Sequence, residues 1–137
     1  MTKVEEFMIG DWVMSIHPAM PRPIKVTEIG KNDIGYKNGI LHISFIEPIP
    51  ITPEILERNG FRLKEEGESY TEYVSGDEHS IIALVFYKES IYDVDTVLDC
   101  ELGFFGGLNR IHHCHVKFVH ELQHALKLCG ISKNIEL

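Results

Sequence analysis

The chain has 137 residues, 44% of them hydrophobic and 25% charged, a composition that predicts one globular unit and excludes a disordered chain. Its formal net charge is -8, with 21 acidic residues against 13 lysines and arginines, which argues against binding to a nucleic-acid backbone. No apolar run approaches the roughly 18 residues that a membrane-spanning helix requires, and residues 1–13 lack the features of a signal peptide. We therefore expect a cytoplasmic protein with neither a nucleic acid nor a membrane as partner.

Residues 1–46 are predicted to form an SH3-like β meander. Apolar or alternating stretches predict strands at 8–14, 24–29, 34–37 and 40–46, since alternation is typical of half-buried strands. The dipeptide Asn38–Gly39 predicts a hairpin turn between the last two strands. Trp12 lies in an otherwise apolar strand, which favours a core position over an exposed binding position. Such a set of short strands is typical of an SH3-like small barrel, a fold that does not by itself establish a function.

Residues 47–60 are predicted to be a proline-rich connector that ends in a short helix. The prolines at 48, 50 and 53 stiffen the connector into an extended form. Thr52 is a favourable N-cap, Pro53 suits the first helical position and Glu54 complements the helix dipole. The helix is predicted to stop at Asn59–Gly60, because glycine commonly follows a helix end.

Residues 61–137 are predicted to form an antiparallel sheet with a C-terminal amphipathic helix. Strands are predicted at 61–64, 69–74, 80–87 and 91–98, and the continuous apolar run at 80–87 indicates a central strand. Turns are predicted at 76–78 and 103–107. The helix is predicted to begin near His115 or Val116 and to end at Gly130, with Val119, Leu122, Leu126 and Cys129 on its core face. The fold class is therefore α+β, mainly antiparallel, and the three segments are expected to form one compact unit.

The predicted helix carries the sequence H-E-x-x-H at His120, Glu121 and His124. On a helix this spacing places two imidazoles one turn apart, where they can share a zinc ion while the glutamate acts as a base on bound water. Glu121 is thus a candidate catalytic residue, and His120 and His124 are candidate metal ligands. The plainer interpretation is a solvated polar helix face that happens to carry histidines.

Several features of the sequence weigh against zinc. Lys117 and Lys127 are each three residues from a motif histidine, where their charge would repel a divalent cation. A catalytic zinc also needs a third protein ligand, and no suitable downstream residue follows the motif. The upstream alternatives are Cys100, His112, His113, Cys114 and His115. We therefore expect no cofactor, with zinc as the alternative.

Three stretches of the chain resemble a group of small, largely uncharacterised proteins of Bacteroides-type bacteria and their phages or mobile elements. These stretches are IGDWV at 9–13, EPIPITPEIL at 47–56 with NGF at 59–61, and VHELQH at 119–124. Members of this group often carry glutamine at the position of Glu121, and some carry asparagine at the position of His124. The resemblance thus implies no established activity and favours a noncatalytic protein.

The sequence predicts a noncatalytic cytosolic accessory protein that binds another macromolecule, most simply a protein. The alternative is a zinc-dependent hydrolase in which His120 and His124 hold the metal and Glu121 is the base. The identity of the partner and the oligomeric state remain open at this point.

Overall fold

The computed structural model describes residues 2–68, 70–76, 80–90, 93–106, 109–128 and 133–137. At 80–81, 87–90, 93–106 and 109–114 it describes the backbone alone. Within these residues the chain forms antiparallel strands, two α-helices and two short 3-10 helices at Val4–Glu6 and Ile43–Phe45. The α-helices are α1 (Pro53–Arg58) and α2 (Val119–Leu128). The strands are β1 (Trp12–Ser15), β2 (Arg22–Lys25), β3 (Glu28–Ile29), β4 (Asp33–Tyr36), β5 (Gly39–His42), β6 (Ile46–Glu47), β7 (Arg62–Glu66), β8 (Tyr70–Gly76), β9 (Ser80–Ser90), β10 (Asp93–Gly106) and β11 (Asn109–His115).

The strands form three antiparallel sheets, in the orders β2-β1-β6, β3-β4-β5 and β11-β10-β9-β8-β7. The prediction of mainly antiparallel strands with a C-terminal helix is confirmed. Among the described residues none of the sheets closes on itself, so the SH3-like barrel stays a prediction.

The predicted strand at 24–29 is wrong in one respect, because two strands of different sheets occupy it. The backbone N–H of Val26 donates to the carbonyl of Asp11 beside the first sheet, whereas that of Thr27 donates to the carbonyl of Gly35 in the second. The chain therefore passes from one sheet to the next between residues 26 and 27. The predicted hairpin is confirmed as far as His42, with the loop Lys37–Asn38 and with Gly39 paired with Tyr36. The rest of the strand predicted at 40–46 is wrong, because Ile43–Phe45 form a 3-10 helix and Ile46 begins β6 of the first sheet.

Helix α1 confirms the predicted connector helix. Pro53 begins it, the Thr52 hydroxyl oxygen accepts the N–H of Ile55 at 3.3 Å, and Asn59 caps the end. Gly60 follows with a φ of 85°, in the region that favours glycine. Among the described helices none is long and apolar enough to cross a membrane.

Helix α2 begins later than predicted because the residues before it are extended. The N–H of Ile51 donates to the carbonyl of Lys117, and the N–H of Val119 donates to the carbonyl of Ile49. The connector thus pairs with the backbone of residues 117–119, and the helix begins only at Val119. Cys129 and Gly130, at the predicted helix end, lie outside the described residues.

In the C-terminal sheet, β9 is the central strand, as predicted. The turn predicted at 103–107 is wrong for residues 103–106, because β10 continues through Gly106 and pairs with β9 on one side and β11 on the other. The predicted turn residues 77–78 and Gly107 lie outside the described residues, as do Ile91 and Tyr92 at the start of a predicted strand.

Two apolar cores lie on either side of β1. The main core packs the C-terminal sheet against α1, α2 and the connector, and it includes Leu56, Leu84, Leu122 and Leu126. The N-terminal core includes Phe7, Val13, Ile24, Ile34 and Ile46. Val13 belongs to the N-terminal core, whereas Trp12 and Met14 pack against the main one, because successive strand side chains point to opposite faces. This arrangement places the start of β1 against helix α2.

Candidate functional site

Helix α2 is packed on both sides at its N-terminal end. Val119, Leu122 and Leu126 lie in the main core, as the apolar stripe predicts. The opposite stripe was expected to be solvated, and this interpretation is wrong: the exposed fraction of His120 is only 4%. Phe7 and the start of β1 cover that stripe, with the Phe7 and His120 ring centroids 4.9 Å apart.

Glu121 holds the N-terminus of α2. Its Oε1 accepts the backbone N–H groups of Lys117 and Phe118, each at 3.0 Å. These donors would otherwise lack a partner at the start of a helix, and a carboxylate there also complements the helix dipole. The carboxylate of the predicted general base is therefore engaged in capping the helix.

His124 bonds to Asp11, a residue that sequence analysis did not single out. Nε2 of His124 lies 2.6 Å from Oδ2 of Asp11, and the same oxygen accepts the N–H of Met8 at 2.8 Å. An ionised carboxylate can only accept, so with Asp11 ionised Nε2–H of His124 is the donor of this bond. The Asp11 side chain is fully buried, and its Oδ1 has no hydrogen-bond partner among the described residues.

Gln123 connects α2 to the backbone at the start of β1. Its Oε1 accepts the N–H of Trp12 at 2.9 Å, and its Nε2 donates to the carbonyl of Gly10 at 3.0 Å. Gly10 has a φ of 97°, a conformation that side chains disfavour, which suits glycine at this turn. We call the contacts of His120, Gln123 and His124 with Phe7 and residues 10–12 the polar interface.

His120 is the most enclosed group of the polar interface. Its ring stacks on Phe118, with centroids 5.9 Å apart and planes 9° apart, and it meets the His124 ring edge to face. Its Nδ1 has no hydrogen-bond partner among the described residues. Burial lowers the pKa of His120 below its usual value, because burial disfavours the charged form, and the neighbouring carboxylates of Asp11 and Glu121 only partly oppose this.

The structure brings together part of a possible metal site. Asp11 lies beside His124 and provides a carboxylate at the position where sequence analysis found no third zinc ligand. Its Oδ2 contacts His124 Nε2 directly, however, and within the described part of the chain no three His, Cys, Asp or Glu side chains are arranged to hold a metal ion. The side chains of Cys100, His112, His113 and Cys114 lie outside the described residues, and His115 is exposed.

The sequence did contain a signal for Asp11. It is a lone carboxylate in the apolar stretch Ile9–Val13, directly after a glycine. A buried charge of this kind requires a hydrogen-bond partner, and a polar helix face is a natural source of one.

An open groove lies beside Trp12 on the N-terminal part of the chain. Its volume is about 540 Å³, and its lining includes Trp12, Arg22, Pro23, Lys25, Tyr36 and Lys37. We call it the apolar groove. Trp12 is also structural, as predicted, since it packs against the main core and its Nε1 donates to the carbonyl of Ile135 at 2.9 Å.

A second concavity, which we call the lysine pocket, adjoins the apolar groove. Its volume is about 350 Å³, and its lining includes Gly10, Lys25, Gln123, Lys127, Lys133 and Ile135. Lys25 lines both concavities. Ile135 in the pocket is followed in the chain by Glu136 in the groove, so the two concavities lie side by side, and we refer to them together as the depression.

Comparisons with known proteins found no match for this chain. No protein family matches the chain, and neither a curated protein nor a solved structure is significantly similar to it.

Proposed function

We propose that this chain is a noncatalytic cytosolic accessory protein, of the type found in phages and mobile elements, that binds another protein. The observation that carries the proposal is the apolar groove, which is open to solvent and has Trp12, Pro23 and Tyr36 in its lining. Grooves lined by aromatic side chains are common docking sites for extended peptides. Aromatic residues are also enriched where proteins contact one another.

The polar interface supports a noncatalytic function. Glu121 caps the helix, His124 bonds to a buried carboxylate and His120 packs between aromatic rings. Each residue of the H-E-x-x-H motif thus has a structural task. The stretches that carry the resemblance to mobile-element proteins, Ile9–Val13 and Val119–His124, also contact each other here.

We further propose that residues 1–46 are an SH3-like small barrel. Two features support this: β1 pairs with both β2 and β6, and a 3-10 helix at Ile43–Phe45 leads into β6. The two three-stranded sheets share the N-terminal core. Small barrels bind peptides or nucleic acids, and the net charge of -8 favours a peptide.

The alternative function is a zinc-dependent hydrolase. The proximity of Asp11 to His124 favours it, because carboxylate and imidazole are both zinc ligands, although no three such side chains among the described residues are arranged to hold a metal ion. It requires Oε2 of Glu121 to act as the base, because both backbone N–H groups at the start of α2 bond to Oε1.

Metal content tests these two functions against each other. We expect mass spectrometry of the untagged protein to find no stoichiometric zinc, and we expect no peptide hydrolysis. One zinc per chain that disappears in the His120→Ala, His124→Ala double variant would favour the hydrolase. Because that variant disturbs packing, Glu121→Gln is the better test of chemistry: it keeps an oxygen to cap the helix, but a hydrolase would lose activity.

Binding is tested with a partner recovered from Bacteroides-type cells, purified and titrated calorimetrically with this chain. We expect the double variant Pro23→Ala, Tyr36→Ala to weaken binding about tenfold or more, as loss of buried anchors does. Ile40→Ala is the matched control, because Ile40 is an exposed apolar residue on the same hairpin outside the groove. Zinc-dependent hydrolysis without a protein partner would contradict the proposal.

A further inference from the structure

The charge around the two concavities is opposite to that of the chain as a whole. Acidic residues outnumber lysines and arginines by 21 to 13 in the sequence. Among the described residues that line the apolar groove and the lysine pocket, five are basic and one is acidic: Arg22, Lys25, Lys37, Lys127 and Lys133, against Glu136. Five of the thirteen basic residues of this acidic protein therefore line the two adjoining concavities, where they outnumber the acidic lining residues described.

The single acidic residue in the lining already contacts one of these lysines. Oε1 of Glu136 lies 3.9 Å from Nζ of Lys25, at the boundary between the groove and the pocket. Both side chains are largely exposed, so the contact is weak and easily exchanged. A carboxylate from another molecule can thus replace Glu136 beside Lys25.

The lining of the groove includes an edge strand. Residues of β2, which lies at the edge of its sheet, line the groove together with the hairpin loop Lys37–Asn38. Pro23 lies in that edge strand and has no N–H to donate, so side-chain contacts with Trp12, Pro23 and Tyr36 must supply much of the recognition.

We infer that the depression binds an extended acidic segment of a partner protein, with apolar side chains in the groove and carboxylates towards the lysine pocket. This inference rests on the proposed function and specifies the partner's chemistry. Arg22 and Lys37 flank the apolar contacts, and Lys25, Lys127 and Lys133 receive the acidic end. Opposite charges of this kind fix the direction of the bound segment and speed association more than they add affinity.

The inference is tested by selecting random twelve-residue peptides displayed on phage against the immobilised full chain. We expect the enriched sequences to combine apolar residues with several aspartates or glutamates. A synthetic peptide of the enriched sequence is then titrated by fluorescence anisotropy. We expect the double variant Arg22→Glu, Lys37→Glu to weaken its binding about tenfold or more, because the rim then repels the peptide.

Lys31→Glu is the control, since it makes one such charge reversal at an exposed residue that lines neither concavity. It should leave the affinity within about twofold, as for a solvated charge. The variant Glu136→Gln should strengthen binding by about twofold, because it removes the internal competitor for Lys25. That gain is not expected of a variant that merely damages the fold.

The outcomes distinguish this inference from the proposed function. Enriched peptides that are basic or uncharged, no enrichment at all, or binding that tolerates the Arg22 and Lys37 reversal would overturn the acidic-segment inference alone. A purified protein partner that binds elsewhere on the surface would leave the proposed function intact. A fluorescent single-stranded oligonucleotide that binds instead of peptides, with the same variant sensitivity, would overturn both.

Discussion

The two faces of helix α2 are buried by different physical means. Leu122 and Leu126 on one face exclude water from the main core through packing, which depends on area and not on direction. Gln123 and His124 on the other face are half-buried and are held by hydrogen bonds whose partners must stand at specific positions. The comparison teaches that a motif with the spacing of a zinc site also arises where a helix packs between two cores.

These two kinds of interaction contribute different amounts to the free energy of unfolding. Burial of a leucine side chain contributes about 1.5–3 kcal/mol, whereas one hydrogen bond contributes a net 0.5–1.5 kcal/mol. A substitution on the apolar face should therefore cost more than one on the polar face, provided that no buried polar group loses its partner.

Leu122→Ala should produce the largest effect, because Leu122 is fully buried in the main core. We expect a loss of about 2–5 kcal/mol in the free energy of unfolding, from the lost burial and the cavity that remains. Urea denaturation followed by circular dichroism measures it. Leu128→Ala is the control on the same helix, since Leu128 is largely exposed, and equal losses in both variants would contradict the assigned core face.

Asp11→Ala should produce an intermediate effect on the polar face. The variant leaves the N–H of Met8 and Nε2 of His124 without their acceptor, which should cost about 1–3 kcal/mol of unfolding free energy. Glu5→Ala, at an exposed carboxylate, is the control. A double-mutant cycle with His124→Ala should give a coupling of at least about 0.5 kcal/mol; additive losses would show that the two side chains do not interact.

Features encoded by neighbouring residues were predictable from the sequence. Helix α1 is specified by Thr52, Pro53 and the Asn59–Gly60 end, all within nine residues. The core stripe of α2 follows from helical periodicity in the same way. The predicted solvation of the polar stripe failed because periodicity determines which residues share a face, but not what covers it.

The polar interface depends on residues that are far apart in the chain. Asp11 and His124 are separated by 113 positions, and Trp12 and Gln123 by 111. No local pattern encodes such a pairing. The continuous strand predicted at 24–29 failed for a related reason, since Val26 and Thr27 hydrogen-bond to different parts of the fold. The apolar groove and the lysine pocket likewise combine residues from distant segments.

His120→Phe should produce the smallest effect, and one visible mainly in the pH dependence of stability. Burial lowers the pKa of His120 in the folded protein below its unfolded value of about 6.5, against the opposing carboxylates of Asp11, Glu121 and Glu6. As the pH falls below about 6.5, the unfolded chain therefore binds a proton that the folded chain resists, and stability decreases. The slope from this group is at most about 1.4 kcal/mol per pH unit, and it vanishes below the folded pKa.

The phenylalanine variant keeps an aromatic ring between Phe7 and Phe118 and has no group that titrates. We expect the wild type to lose stability relative to His120→Phe as the pH is lowered from 8 to about 5.5. Urea unfolding of both proteins at each pH gives this difference, in which the contributions of the other histidines largely cancel. A difference that stays constant with pH would show that His120 charges without penalty, and that the helix face covered by Phe7 is open to water.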